Sequence, residues 1–212
     1  MLSIVIPAFN EENILQESID NIFSWSKINL IKLELIVINN NSTDQTESIC
    51  KNNLTKYKSF KYENESKKGK GFAVKKGIRK SSFKKILILD ADLSVNIDQF
   101  NPNWLDYEEI CIAGSRFQGE VIGTPARRTL TGKIFSLLVK SLFKTSVDDT
   151  QCGFKYISYN NISILVNKLT VGNFAYDVDF LLSVKSCDIE TLVMPVTYVH
   201  NAESSVSILK DS

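Results

Sequence analysis

Apolar positions along this chain fall into two alternating rhythms. Nearly unbroken apolar runs at 2–6, 33–38, 86–89 and 110–113 suit strands buried on both faces, as in a parallel sheet flanked by helices. A shorter strand is predicted near 59–62. Between the first two runs, Ile14, Leu15, Ile19, Ile22 and Phe23 share one helical face. Asn10-Glu-Glu looks like the N-cap of that helix, with acids in its first turn. Ser42-Thr-Asp-Gln45 has capping-box spacing ahead of a second helix. The basic loop 67–71 leads into a third, which runs to about Arg79. Phe174, Val178, Leu181 and Leu182 mark a later helix. Strands alternating with helices predict a parallel α/β sheet, without internal repeats or an obvious linker.

Composition narrows this picture only a little. A chain of 212 residues with 43% apolar content makes one domain with a full core, or one domain with a modest second lobe. A net charge of +1 gives no electrostatic reason to expect nucleic acid as a partner. Cys50, Cys111, Cys152 and Cys187 show no paired spacing, so a reduced cytoplasmic protein is expected rather than a disulfide or zinc framework. The N-terminus lacks a basic region and a cleavage site and reads as a strand, not a signal peptide. No apolar run approaches the roughly 18 residues of a spanning helix. The chain is expected to be soluble, at most peripheral on the cytoplasmic face of a membrane.

The chemistry concentrates at Ile86-Leu-Ile-Leu-Asp-Ala-Asp-Leu-Ser94. Residues i and i+2 of an extended backbone project to one side, so Asp90 and Asp92 aim at one point. Open α/β sheets bind ligands just outside the carboxyl ends of their strands. A carboxylate pair there is a hard oxygen site for Mg²⁺ or Mn²⁺, which commonly also holds substrate phosphates. Twelve aspartates in 212 positions give about two-thirds of one Asp-x-Asp by chance, so context decides. The second such pair, Asp177-Val-Asp179, lies on a predicted helix, where i and i+2 do not face each other. Solvated loop acids are the plainer reading of Asp90 and Asp92. No P-loop string exists, and Gly69-Lys-Gly71 does not complete the three-glycine dinucleotide fingerprint.

Arg116, Arg127 and Arg128 follow the fourth strand in a segment otherwise poor in charge. Their planar forks suit phosphate oxygens; solvated surface arginine is the other reading. In 131–144, seven apolar side chains from Ile134 to Phe143 stand among Lys133, Lys140 and Lys144. Such a helix is too short to span a bilayer yet fit to lie on one, and equally fit to be a core helix with snorkelling lysines.

As a set, Ser3-Ile-Val-Ile-Pro-Ala-Phe-Asn-Glu-Glu12, Glu34-Leu-Ile-Val-Ile-Asn-Asn-Asn-Ser-Thr-Asp44 and Asp90-Ala-Asp92 resemble the inverting GT-A glycosyltransferases of family 2. Gly69-Lys-Gly-Phe-Ala-Val-Lys-Lys-Gly77, Gly114-Ser-Arg116 and Asp149-Thr-Gln-Cys-Gly-Phe-Lys155 look most like its polyprenyl-phosphate sugar transferases, the dolichyl-phosphate β-glucosyltransferases first and the dolichyl-phosphate mannose synthases next. The resemblance implies a GT-A fold, a mostly parallel mixed sheet flanked by helices. Residues 1–116 would form a nucleotide-sugar-binding half and 117–212 an acceptor half. The implied reaction moves a hexose, with inversion, from a UDP-glucose or GDP-mannose type of donor to a polyprenyl phosphate.

Residue by residue, the resemblance implies that Pro7, Phe9 and Glu11 line the base and ribose pocket, with Asn39 and Lys70 also on the donor. Asp90 and Asp92 would hold sugar, diphosphate and Mg²⁺ or Mn²⁺. His200, the chain's single histidine, would be a third ligand, although a lone histidine is more often structural. Arg116 with Arg127 or Arg128 would grip the acceptor phosphate, and Gln151 with Cys152 would shape its pocket. Inverting transfer forms no covalent intermediate, so Cys152 is not read as a nucleophile. Asp177 falls at the family's general-base position. A phosphate acceptor is already anionic and needs no base; a saccharide alcohol would need one. A non-catalytic nucleotide-sugar binder is a further alternative. The family commonly has Asp-Asp where this chain has Asn39-Asn40. An amide donates as well as accepts, which leaves the base preference open; a turn over Asn39–Asn41 that tolerates left-handed backbone is the other reading.

Overall fold

The computed structural model describes residues 1–124, 136, 139–142, 145–173 and 175–200. Strands β1 (Leu2–Ala8), β2 (Leu33–Asn39), β3 (Phe60–Asn64), β4 (Lys85–Ile88), β5 (Ile110–Ile122), β6 (Lys155–Ser158) and β7 (Glu190–Val199) form one sheet in the order β3-β2-β1-β4-β6-β5-β7. The pairs β1–β2, β1–β4, β2–β3 and β5–β7 are parallel. Strand β6 runs antiparallel to both of its neighbours, β4 and β5. Helices α1 (Leu15–Ile28), α2 (Thr46–Lys56), α3 (Lys70–Lys80), α4 (Ile162–Lys168) and α5 (Tyr176–Lys185) cover the faces.

The continuous apolar run of β1 explains its place near the middle of the sheet. Leu2, Ile4 and Ile6 join Leu15, Ile19, Ile22 and Phe23 of α1 in one core, where the Phe100 ring stands edge-on to Trp25 at 5.7 Å and Trp104 at 5.2 Å. Val5 points to the other face, with Val74 and Ile78 of α3 and Phe180 and Val184 of α5. Period-two alternation therefore persists inside a run that is apolar at nearly every position, because both faces are buried.

Four expectations need correction. The strand predicted at 110–113 is 13 residues long, since beyond a register shift between Ser115 and Glu120 it pairs with β7 alone and carries polar, exposed residues. Strand β3 lies one to two residues later than the 59–62 prediction. Neither predicted cap operates. Helix α1 starts at Leu15 without a side-chain cap; Asn10 has φ +55°, donates its N–H to Ser42 Oγ at 2.9 Å and accepts the Thr43 N–H at 2.7 Å. Ser42 is thereby spent on the neighbouring loop. At α2, Asp44 accepts from Thr46 N at 3.0 Å and from Glu12 N at 3.1 Å, while Glu11 N donates to Thr46 Oγ1 at 2.8 Å. The polar residues after β1 and β2 chiefly tie the two strand-end loops to each other, and only Asp44 also accepts the first N–H of its own helix.

Of 131–144, only residues 136 and 139–142 are described: they are helical, with Val139 buried and Leu142 exposed. No helix among the described residues is long and apolar enough to cross a membrane.

Candidate functional site

The carboxyl ends of β1, β2 and β4 open onto one side of the sheet, and the loops leaving them carry most of the residues singled out above. Asp90 and Asp92 do not lie on extended backbone. They sit past the end of β4 in a turn closed by the Leu93 N–H donating to the Asp90 carbonyl at 3.1 Å, with Leu93 at φ +45°. The turn still keeps them electrostatically close. Burial and the neighbouring charge of Asp90 raise the Asp92 pKa against the lowering hydrogen bonds from Ser94 N at 2.9 Å and Ser94 Oγ at 2.7 Å. Burial also pushes Asp90 upward, but Lys70, with Lys155 and Arg116 behind it, outweighs this and holds the carboxyl below its usual range.

The Lys70 ammonium reaches Asp90 from the first turn of α3, at 2.5 Å. It also stands 5.5 Å from the Tyr176 ring centre. On the far side of Asp90, Gly153 packs so closely that a Cβ there would overlap the carboxylate. The segment 149–155 thus supplies more than acceptor contacts. Its Lys155, fully buried, donates to the Asp177 carboxylate and to the Cys152 carbonyl, each at 2.5 Å. Its Asp149, also buried, accepts from Arg116 Nε at 2.7 Å, Arg116 Nη2 at 2.8 Å and the Arg116 backbone N–H at 3.0 Å. Three carboxylates around the site therefore each hold a cation: Asp90 with Lys70, Asp177 with Lys155, Asp149 with Arg116.

The remaining predicted positions divide. Pro7 lies in β1 beside Ile38, and Phe9 just beyond it is 41% exposed. Glu11 is buried, with Oε2 lacking a hydrogen-bond partner, and burial followed by Asp92, Asp90 and Asp44 raises its pKa to about 8 against the pull of Lys70. Asn39 donates to Asn64 Oδ1 at 2.8 Å and accepts from Ser42 N at 3.2 Å. Asn41, at φ +65°, is the position that uses left-handed backbone. Asp179 accepts from Thr170 N at 2.7 Å and Val171 N at 3.0 Å, so it seats the loop before α5. Gln151 is half-buried next to Cys152. Burial and then Asp149 push the Cys152 thiol up to about 12, away from a nucleophilic thiolate. Val199 N donates to the Ser94 carbonyl at 2.8 Å, which sets His200 beside the loop of Asp92. The described residues nonetheless gather no group of three or more His, Cys, Asp or Glu that could hold a metal. Arg127 and Arg128 lie outside the described residues.

Sequence reasoning passed over Lys155, Asp149 as a partner, and Tyr176. The motif 149–155 was the available signal for the first two.

The fold has counterparts among solved structures. The structure superposes on glucosyl-3-phosphoglycerate synthase of Mycobacterium tuberculosis with a TM-score of 0.69, covering 98% of this chain and 74% of that one at 19% identity. The fold is GT-A, a seven-stranded, mostly parallel mixed sheet with helices on both faces. That enzyme has also been crystallised with Mn²⁺, UDP-glucose and phosphoglyceric acid. The family description "Glycosyl transferase family 2" matches residues 3–159, and the chain belongs to that family. A human dolichyl-phosphate beta-glucosyltransferase is 32% identical over 201 residues, which is 85% of this chain and 61% of that protein. One from Trichomonas vaginalis is 27% identical over 211 residues, 93% of this chain and 65% of its own length. The chain therefore spans less than two thirds of these relatives.

Proposed function

We propose that this chain transfers a hexose from a nucleotide-diphospho-sugar of the UDP-glucose or GDP-mannose type to a polyprenyl phosphate of the dolichyl class, with inversion. The observation that carries the choice of acceptor is the buried Lys155–Asp177 pair. An alcohol acceptor needs a base that takes its proton during attack. Asp177 is enclosed, and its Oδ1 is occupied by an ammonium at 2.5 Å, so it is poorly placed to accept that proton. A phosphate acceptor makes no such demand. Its oxygen attacks the sugar C1, the bond from C1 to the diphosphate oxygen breaks, and the nucleoside diphosphate leaves with the electron pair.

The donor set suits Mg²⁺ or Mn²⁺. Asp90 and Asp92 are hard oxygen ligands, and the raised pKa of Asp92 together with the unpartnered Oε2 of Glu11 marks an excess of buried negative charge that a cation relieves. Asp90 and Asp92 would hold the ion, with donor phosphates completing its shell; bound there, it supplies charge neutralisation for the leaving diphosphate. Pro7, Phe9 and Glu11 line the nucleoside side. Lys70 adds a fixed positive charge, and Arg116 faces the acceptor, with Arg127 or Arg128 and Gln151 contributing from the second half. The 131–144 segment carries the contact with a membrane surface on its cytoplasmic side.

The test is transfer from labelled UDP-glucose and GDP-mannose to polyprenyl phosphate in detergent, with Mn²⁺ or with EDTA, and with the product anomer read by NMR. Transfer to the phosphate that survives Asp177→Asn, assayed at a temperature where circular dichroism shows that variant folded, but falls roughly 10²- to 10³-fold in Asp92→Asn supports the proposal. Turnover confined to saccharide alcohols and abolished by Asp177→Asn refutes it.

A further inference from the structure

The Asn40 side chain commits both amide N–H donors and its Oδ1 to one loop. Its amide NH₂ donates to the Lys67 carbonyl at 2.7 Å and to the Glu65 carbonyl at 3.2 Å, and its Oδ1 accepts the Gly69 N–H at 2.7 Å. Its own backbone N–H donates to the Ala8 carbonyl at 2.8 Å, at the end of β1. The neighbours reinforce the grip. Asn41 donates to the Glu65 carbonyl at 3.0 Å, and the Glu65 N–H donates to the Asn39 carbonyl at 2.9 Å. The loop ends at Gly69, at φ +132°, and the next residue is Lys70, the partner of Asp90. From the other side, Gly71 N donates to the Gly172 carbonyl at 2.9 Å.

We infer that Asn40 is a positioning residue for Lys70: its amide fixes the 65–69 loop so that the Lys70 ammonium is delivered to Asp90 at the donor diphosphate site. The amide is chemically required. Two of its bonds go from NH₂ to carbonyls, and the third brings an N–H to oxygen, so one planar group must donate on one edge and accept on the other. A carboxylate could keep only the Gly69 bond and would set like dipoles against the carbonyls of 65 and 67. The asparagine at position 40 thus acts on the donor through the loop and its lysine.

The effect on donor binding rests on the proposed function; the loop geometry does not. The experiment has two readouts. Amide exchange on the wild-type chain should show Gly69 N–H and its neighbours protected although they lie in a loop, and Asn40→Asp and Asn40→Ala should each release that protection. Affinity for UDP-glucose with Mn²⁺ should fall roughly tenfold or more in Asn40→Asp, from the loss of two hydrogen bonds. In a Lys70→Ala background the same change should cost little further, because the interaction it serves is already gone. Fast exchange at Gly69 in the wild type overturns the inference without any variant. Additive effects of Asn40→Asp and Lys70→Ala on affinity overturn the link to Lys70. If the wild type binds neither UDP-glucose nor GDP-mannose, the donor reading falls, and exchange at 65–70 in wild type and Asn40→Ala still decides whether the loop is held through Asn40.

Discussion

Replacing Lys155 by methionine would keep the unbranched stem, one atom shorter, and remove its charge. Asp177, 3% exposed, would then be a carboxylate without its ammonium, and the Cys152 carbonyl would lose its donor. Removing one partner of a buried pair typically costs about 3–5 kcal/mol, because the other charge stays behind. For a domain of this size each kcal/mol moves Tm by about 2–4 °C, so a fall of roughly 6–20 °C is expected. That is a large share of the ~5–15 kcal/mol that holds a typical domain together. The companion variant Lys155→Met with Asp177→Leu removes both charges, and well-packed apolar replacements of buried pairs are often neutral or better. Urea unfolding of the three proteins, extrapolated linearly to water, should rank wild type and double variant close together, with the single variant well below. A single variant that loses under about 1 kcal/mol, or a double variant no more stable than the single one, would refute the reasoning that the pair is dry and mutually compensating.

Glu11 should impose a pH dependence in metal-free buffer. Its folded pKa, raised by burial and then by Asp92, Asp90 and Asp44, is about 8 against 4.5 for the free side chain. Between those values the unfolded chain sheds a proton that the folded chain keeps, so stability declines as pH rises through the window. Glu11→Gln should lack that decline, and denaturant midpoints at pH 5 and pH 8.5 measure it; parallel pH dependences in the two proteins would contradict the assignment. Gly153→Ala would drive a methyl into the Asp90 carboxylate. It should weaken the Mn²⁺-dependent thermal shift given by UDP-glucose while leaving the secondary structure by circular dichroism unchanged, and an unaltered shift would place Asp90 outside the donor site.

The parts of this structure that were legible in the sequence are those where local pattern and tertiary role coincide. Strands β1, β2 and β4 are apolar almost throughout because both faces are covered, although β1 runs on through Pro7 to Ala8 and β4 stops at Ile88, one residue short of its apolar run. Asp90 and Asp92 stood out because they close such a run. The outer half of β5 and all of β7 were hidden. Their burial is mixed, and their partner is each other across more than seventy positions, as in Glu120 opposite Thr197. Strand β6 has only four residues, and a lysine opens it. The charge pairs were invisible for the same reason. Arg116 meets Asp149 at a separation of 33 residues and Lys155 meets Asp177 at 22, distances at which no periodicity links them. Asn10 and Ser42 misled because a residue suited to capping a helix is equally suited to bridging two loops.

The reversed strand β6 has a bearing on how the molecule comes into being. It fills the gap between β4 and β5 and arrives some thirty residues after β5 has left the sheet. Until it is threaded in, β4 has an unpaired edge and β5 has no neighbour on that side, so the first half is an unfinished surface rather than a self-sufficient unit. The same insertion brings Gly153 against Asp90 and Lys155 against Asp177. Closure of the sheet and completion of the charged centre therefore both depend on residues beyond 150, through pairings distant in sequence, the kind of topology that in general folds slowly. A truncated chain that stops short of residue 155 has neither.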